Sequence, residues 1–197
     1  MTPTADQWIE TPSFTRRSGP VSRPSGGIAA HTDDERSSED AKRTERNTMS
    51  VVYRTAAVST GNGRNGRSRT TDGVLDLTLT TPKPGAGPGD PTNPEQLFAS
   101  GYSACFHSAV KTLAKGAGID VTDSSISVQV GLVKSDSGFS LQAAITGDLP
   151  GVDRDVAADL LARAHQRCPY SKAIAGNVDV TLTVGRHSTD TTAKETT

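Results

Sequence analysis

From Asn93 to about Lys115 the chain reads as one helix that is apolar over most of its circumference, and a helix of that kind needs other elements to cover it. Its start is well marked. Asn93 has the side chain of an N-cap, Pro94 suits the first helical position, and Gln96 falls where a capping box places its reciprocal acceptor. Gly116 and Gly118 end it. Phe98, Tyr102 and Phe106 recur every four residues and, with Leu97, Ala109, Val110 and Leu113, leave little of the surface polar. The chain must therefore wrap this helix.

The flanking segments supply the wrapping. Val51 to Thr60 reads as a strand, Gly61 to Gly66 as a turn rich in residues that tolerate positive φ, and Arg67 to Thr71 as a second strand. Asp72-Gly73 is a hairpin signal leading into Val74 to Leu79, where Leu75, Leu77 and Leu79 share one face. Thr80 to Thr92 is a Pro- and Gly-rich loop. After the helix, Ile126, Val128, Val130 and Leu132 alternate as a strand, joined through Asp136-Ser137-Gly138 to another from Phe139 to Thr146. Asp153 caps an amphipathic helix with Val156, Leu160 and Leu161 on one side, which ends near Cys168 because Pro169 disfavours helical backbone before it. Asn177 to Val184 closes the order as an alternating strand. The fold class is α+β.

Charge narrows the function. With 21 basic and 22 acidic residues among 197, the chain has no net field that would recruit nucleic acid or an anionic membrane, and neither partner is expected. No stretch reaches the roughly 18 apolar residues of a membrane span, and no signal peptide is evident, so a cytoplasmic location is expected. Residues 1–48 are rich in Ser, Thr, Pro, Gly and mixed charge without period, which predicts a disordered extension, with Met49 as a native start; a genuine interaction tail is the alternative. The domain is expected over 49–186, with a disordered tail at 187–197.

Cys105 and Cys168 are the only cysteines. So small a number is no disulfide scaffold, and in a reducing compartment such a pair is more often catalytic or redox-sensing than structural. His31, His107, His165 and His187 show no zinc-ligand spacing with them, so no metal is expected. Cys105 lies in the apolar helix, where desolvation raises a thiol's pKa against the needs of nucleophilic chemistry. It is twelve residues, about 18 Å, beyond the cap, outside the reach of the helix dipole. A fixed cation is required, and arginine stays charged when buried. The chain offers Arg64 in the glycine-rich turn and Glu95 in the first helical turn, with Arg67 the alternative partner of the thiolate. His107 and His165 read as packing or hydrogen-bonding residues, and Arg163 and Arg167 as a solvated helix face.

Three stretches, Gly61-Asn62-Gly63-Arg64-Asn65-Gly66-Arg67, the block from Thr92 through Asn93-Pro94-Glu95-Gln96-Leu97-Phe98 to Cys105-Phe106, and Ala164-His165-Gln166-Arg167-Cys168-Pro169-Tyr170-Ser171, resemble the organic hydroperoxide resistance proteins, the Ohr branch of the OsmC/Ohr family. Asn62 in place of a glycine, Lys172 and Ile174-Ala175 depart from the usual pattern. The resemblance implies an intertwined homodimer with antiparallel sheets around central helices, and a thiol peroxidase acting on alkyl and fatty-acid hydroperoxides without metal or organic cofactor. It implies Cys105 as the peroxidatic thiolate, Arg64 as its stabiliser, Glu95 as the group orienting the arginine, Cys168 as the resolving thiol, and a lipoylated protein or other dithiol as reductant. Phe98, Tyr102, Phe106 and Tyr170 are expected to line the substrate pocket. On an unbroken helix Glu95 and Cys105 are ten residues, about 15 Å, apart, so a site shared between two subunits is expected. An OsmC-like peroxidase with a broader or hydrogen peroxide preference, or a thiol-based redox sensor or binding protein, are the alternatives.

Overall fold

The computed structural model describes residues 50–187, and the expectations for 1–48, for Met49 and for 188–197 lie outside them. The described chain divides into two compact units: the residues up to Val58 with Arg69–Leu75, and Ser59–Ser68 with everything from Asp76 onward.

In the first unit the Thr71 amide donates to the Ala56 carbonyl at 2.9 Å. The turn after Thr71 is pinned by Asp72, whose Oδ1 accepts from the Thr70 hydroxyl at 2.5 Å and the Val74 amide at 3.0 Å. Those bonds, the hydroxyl's first, hold the Asp72 carboxyl below its ordinary pKa. Among the described residues every large apolar side chain of this unit is exposed: Val51, Val52, Tyr53, Val58, Val74 and Leu75. Only Ala57 and Val58 of the strand expected from Val51 are in a strand within this unit.

Strands β1 (Ala57–Asn62), β2 (Asn65–Thr70) and β3 (Asp76–Thr78) form a sheet in that order. The expected six-residue turn is in fact two residues, Gly63 and Arg64, because Asn62 and Asn65 are already in the strands. Gly63 sits at φ 53°, a backbone conformation that glycine adopts without a Cβ penalty. β3 is shorter than the leucine alternation suggests, since Val74 and Leu75 have no apolar cover to face.

Helix α1 (Pro94–Ala117) has the expected cap: Asn93 Oδ1 accepts from the Gln96 amide at 2.8 Å. The reciprocal half differs, because Gln96 Oε1 accepts from the Thr92 hydroxyl at 2.8 Å instead of from the Asn93 backbone. Within one chain α1 is buried along a single stripe, Tyr102, Phe106, Ala109, Val110 and Ala114, rather than all round.

The second sheet is built from β4 (Ser125–Ser135), β5 (Gly138–Asp148) and β6 (Asp179–Val184). β4 and β5 are antiparallel from Ser125↔Asp148 to Ser135↔Gly138, closed by the expected Asp136-Ser137 turn. β6 joins β5 in parallel, from Gln142↔Asp179 to Gly147↔Val184, so this sheet is mixed. A parallel neighbour needs a crossover of a dozen or more residues, and helices α2 (Arg154–Arg167) and α3 (Pro169–Ile174) provide it. Asp153 caps α2 by accepting from the amides of Asp155 and Val156 at 2.9 and 3.2 Å. The buried face of α2 is Ala157, Leu160, Leu161 and Ala164; Val156, expected beside them, points to solvent.

These helices cover one face of the mixed sheet, where Ala143, Ile145, Gly147 and Leu149 alternate inward. At Gly147 an added Cβ would stand 2.5 Å from Leu161 Cδ2 and 2.9 Å from its Cδ1, so α2 approaches β5 as closely as it does only because this residue has no side chain. Gly147→Ala is expected to cost about 1–3 kcal/mol by overpacking, with part of that recovered in the Gly147→Ala/Leu161→Val double variant, measured by urea denaturation. An unchanged midpoint in the single variant would contradict the close approach.

Candidate active site

The β1–β2 turn carries Arg64 to the first turn of α1. Its Nη1 donates to Glu95 Oε1 at 2.7 Å and Oε2 at 2.9 Å. The arginine side chain is half exposed while the carboxylate is nearly covered, at 47% and 10% exposure. Glu95 also stands where the positive end of the helix dipole favours an anion. Arg67, the other candidate, is taken up elsewhere: Nε and Nη2 each reach an oxygen of Asp76 at 2.5 Å, which raises the pKa of the guanidinium further.

The two thiols meet at a second place along α1. Cys168 Sγ lies 3.5 Å from Cys105 Sγ, both as free thiols, with Cys168 buried and Cys105 half-buried. The backbone explains how Cys168 arrives there. With Pro169 after it, Cys168 adopts extended backbone at ψ 126°, which ends α2, and Pro169 opens α3 at its first position. The chain thus bends at the cysteine itself. Burial, first, pushes the Cys105 thiol above its ordinary pKa; the neighbouring Cys168 adds to this, and the Tyr170 backbone amide works against it by donating toward the sulfur.

Aromatic rings gather beside the thiols. The Phe98 and Tyr102 centroids are 5.7 Å apart, Phe98 stacks on Tyr170 at 6.2 Å, and Tyr102 meets Phe106 edge-on at 6.3 Å. Gly101 makes room for this: a Cβ there would be 3.0 Å from the Tyr170 hydroxyl and 3.2 Å from its ring. The Tyr102 hydroxyl shares a buried 2.8 Å hydrogen bond with Ser171 Oγ. Burial raises the Tyr102 pKa, with the Ser171 bond opposing and the two thiols adding to the rise.

All four expected pocket residues therefore come together, and the four expected reactive groups form two pairs. Glu95 joins Arg64 and Cys105 joins Cys168, but α1 runs unbroken between the pairs, and among the described residues no hydrogen bond links Arg64 to either thiol. His107 Nε2 bonds Ser124 Oγ at 3.0 Å, and burial, then Lys111, lowers its pKa, which suits a structural histidine. His165 Nδ1 is buried without a hydrogen-bond partner. Arg163 is solvated beside Asp159, and Arg167 is exposed. Of the departures from the family pattern, Lys172 and Ala175 are exposed and Ile174 packs partly buried against the core. The sequence reading missed helix α3 and Ser171; Pro169 at a first helical position was the available signal.

The chain and its fold are similar to known proteins. Residues 87–183 match the family described as OsmC-like protein. The chain is 44% identical over 137 residues to the organic hydroperoxide resistance protein of Xanthomonas axonopodis pv. citri (strain 306), spanning 68% of this chain and 95% of that one. It is 45% identical over 130 residues to the organic hydroperoxide resistance protein OhrB of Bacillus subtilis (strain 168), spanning 65% and 95%. Among crystal structures, an organic hydroperoxide resistance protein OsmC from Legionella pneumophila superposes with a TM-score of 0.64 at 45% identity, covering 70% of this chain and all of that one. OhrB of Bacillus subtilis gives 0.63 at 41%, covering 68% and 100%. The chain belongs to the OsmC/Ohr family.

The Arg64–Glu95 pair is expected to be coupled. A double-mutant cycle with Arg64→Ala and Glu95→Ala should return an interaction of about 1 kcal/mol, because the nearly covered carboxylate loses its partner when the arginine is removed. Additive losses in thermal or urea unfolding would mean that the contact contributes nothing to the folded state.

Proposed function

We propose that this protein is a thiol-dependent peroxidase that reduces alkyl and fatty-acid hydroperoxides to alcohols in defence against oxidative stress. The observation that carries the reading is the contact of two free thiols at 3.5 Å beside a cluster of four aromatic rings. The names of the relatives support the same substrate class.

In this reading the Cys105 thiolate attacks the outer oxygen of the hydroperoxide, the O–O bond breaks, and the alkoxide takes a proton and leaves as the alcohol. Cys105 is left as a sulfenic acid. Cys168 then attacks that sulfur, a disulfide forms, and the hydroxyl leaves as water with the Cys168 proton. An external dithiol, on a lipoylated protein or a similar donor, restores both thiols by exchange and is itself oxidised to a disulfide. Phe98, Tyr102, Phe106 and Tyr170 would receive the apolar tail, a lining better matched to an organic peroxide than to hydrogen peroxide or to a sensor without a substrate. We place the activity in the cytoplasm, where such dithiols are maintained.

Burial alone leaves Cys105 protonated, so the reading gives Arg64 the task of holding the thiolate and the departing alkoxide, and Glu95 the task of orienting the guanidinium. The ten-residue separation of Glu95 and Cys105 along α1 favours a site completed across a homodimer. The apolar surface of the first unit supports such a dimer, with Val52 at 93% and Val74 at 79% exposure among its six uncovered side chains.

Three measurements test this. With dihydrolipoamide as reductant, cumene hydroperoxide should be consumed faster than hydrogen peroxide, and Cys105→Ser should fall to background; equal rates in wild type and variant would end the peroxidase reading. Activity should rise with pH as Cys105 ionises, and Arg64→Met should shift that rise to higher pH while lowering the neutral rate about 10²-fold. A profile that stays in place would remove Arg64 from the thiolate. Light scattering should give twice the chain mass, and Val52→Asp/Val74→Asp should give a single chain; a wild-type monomer with full activity would refute the dimer.

A further inference from the structure

We propose that Ser171 is a positioning residue that holds Cys168 in register with Cys105 by its hydrogen bond to Tyr102. The proposal rests on the peroxidase reading above and assigns a part of the reaction to a residue outside the reacting pair.

Helix α3 has six residues, too few to be stable alone, and Cys168 at its N-cap makes no side-chain cap bond. Its geometry must come from what it leans on. Contacts that reach α1 include the thiol–thiol contact, the Tyr170 amide toward the Cys105 sulfur, the Tyr170 ring against Gly101, Phe98 and Tyr102, and the Ser171–Tyr102 bond. A thiol is a weak donor and acceptor, and the Tyr170 ring is partly in solvent. Of these, the Ser171–Tyr102 bond joins two good hydrogen-bonding groups in a dry setting, with Tyr102 at 0% and Ser171 at 1% exposure.

Its placement matters as much as its burial. Tyr102 precedes Cys105 by three residues and Ser171 follows Cys168 by three, so on each helix the hydroxyl and the thiol share a face one turn apart. The hydrogen bond therefore sets the rotation and slide that bring the sulfurs to 3.5 Å. If the bond is lost, neither hydroxyl has water to turn to, and α3 shifts to find a partner. A disulfide requires the sulfurs to close to about 2.05 Å, so a shift of an ångström is felt directly in that step.

The consequence falls on one branch point. Sulfenic Cys105 either loses its hydroxyl as water when Cys168 attacks, or takes a second oxygen from another hydroperoxide, which leaves as the alcohol, and becomes a sulfinic acid. Ser171→Ala should slow the first branch about tenfold, the factor corresponding to one hydrogen bond, while the initial attack on peroxide stays within about twofold. The sulfinic fraction per turnover should rise to match.

The experiment is a single turnover with cumene hydroperoxide on the full chain. Peroxide loss is followed directly, and disulfide and sulfinic acid by mass spectrometry after acid quench, in wild type, Ser171→Ala, Ser171→Thr, Tyr102→Phe and the Ser171→Ala/Tyr102→Phe double variant. Alongside, the Cys105–Cys168 pair is equilibrated with glutathione buffers, which reports its effective concentration without peroxide. Ser171→Ala and Tyr102→Phe should each slow disulfide formation and lower the effective concentration, Ser171→Thr should restore both, and the double variant should be no worse than either single. Disulfide formation and effective concentration within about twofold of wild type in Ser171→Ala would overturn the proposal. If wild type consumes no peroxide yet Ser171→Ala lowers the effective concentration, the peroxidase reading fails and the positioning role stands.

Discussion

The bend at Cys168–Pro169 is the constraint on which most of the rest depends. Proline at the next position disfavours helical backbone at Cys168, which is extended at ψ 126°, so α2 stops there, and the same proline starts α3. Without this break α2 would continue as a straight helix and its end would leave the sheet. With it, the chain folds back on α1, seats a thiol against Cys105, and still delivers β6 to the edge of β5 in parallel. One local backbone restriction thus serves both the crossover topology and the thiol contact.

Helix α1 holds two chemically different ends of one arrangement. Near its start, charge is managed by pairing: Arg64 on Glu95, with the dipole assisting. At its middle, charge is excluded by burial: Tyr102, Phe106 and Val110 are fully buried, each such side chain contributing about 1.5–3 kcal/mol, far more than a half-exposed ion pair. Packing therefore fixes where the helix lies, and the ion pair fixes where the β1–β2 turn lies upon it. The proposed chemistry needs both, since a buried sulfur without a cation stays protonated and a cation without a dry pocket is weakened by water.

Much of this was legible in the sequence, and the failures have particular causes. The cap at Asn93, the turn at Asp136-Ser137 and the stop before Pro169 were readable because each depends on one or two residues with a fixed local preference. Arg64 is legible as the partner of Glu95 only through the family resemblance, because Arg64 and Arg67 both lie in or beside a glycine-rich turn and it is the fold of the hairpin that turns one to Glu95 and the other to Asp76. Val156 and Leu75 were misread, because periodicity marks an apolar face without saying whether anything covers it. Ser171 went unnoticed because a hydroxyl carries no signal until its partner, Tyr102, 69 residues away, is brought within 2.8 Å.

The raised thiol pKa and the proposed reactivity of Cys105 are reconciled by the effect of burial on the competing reactions. Desolvation disfavours the thiolate in the resting chain, but it also removes the water that would screen a guanidinium brought near the sulfur, so a single cation acts more strongly there than at the surface. In the proposed cycle the buried Cys168, 3.5 Å away, would meet a sulfenic acid on Cys105 before solvent-borne oxidants do. A more exposed Cys105 would ionise more readily and be oxidised past recovery more often. In the proposed cycle burial would trade resting reactivity for control over the fate of the oxidised sulfur, and the aromatic rings that enforce it are the same ones that would select an apolar peroxide.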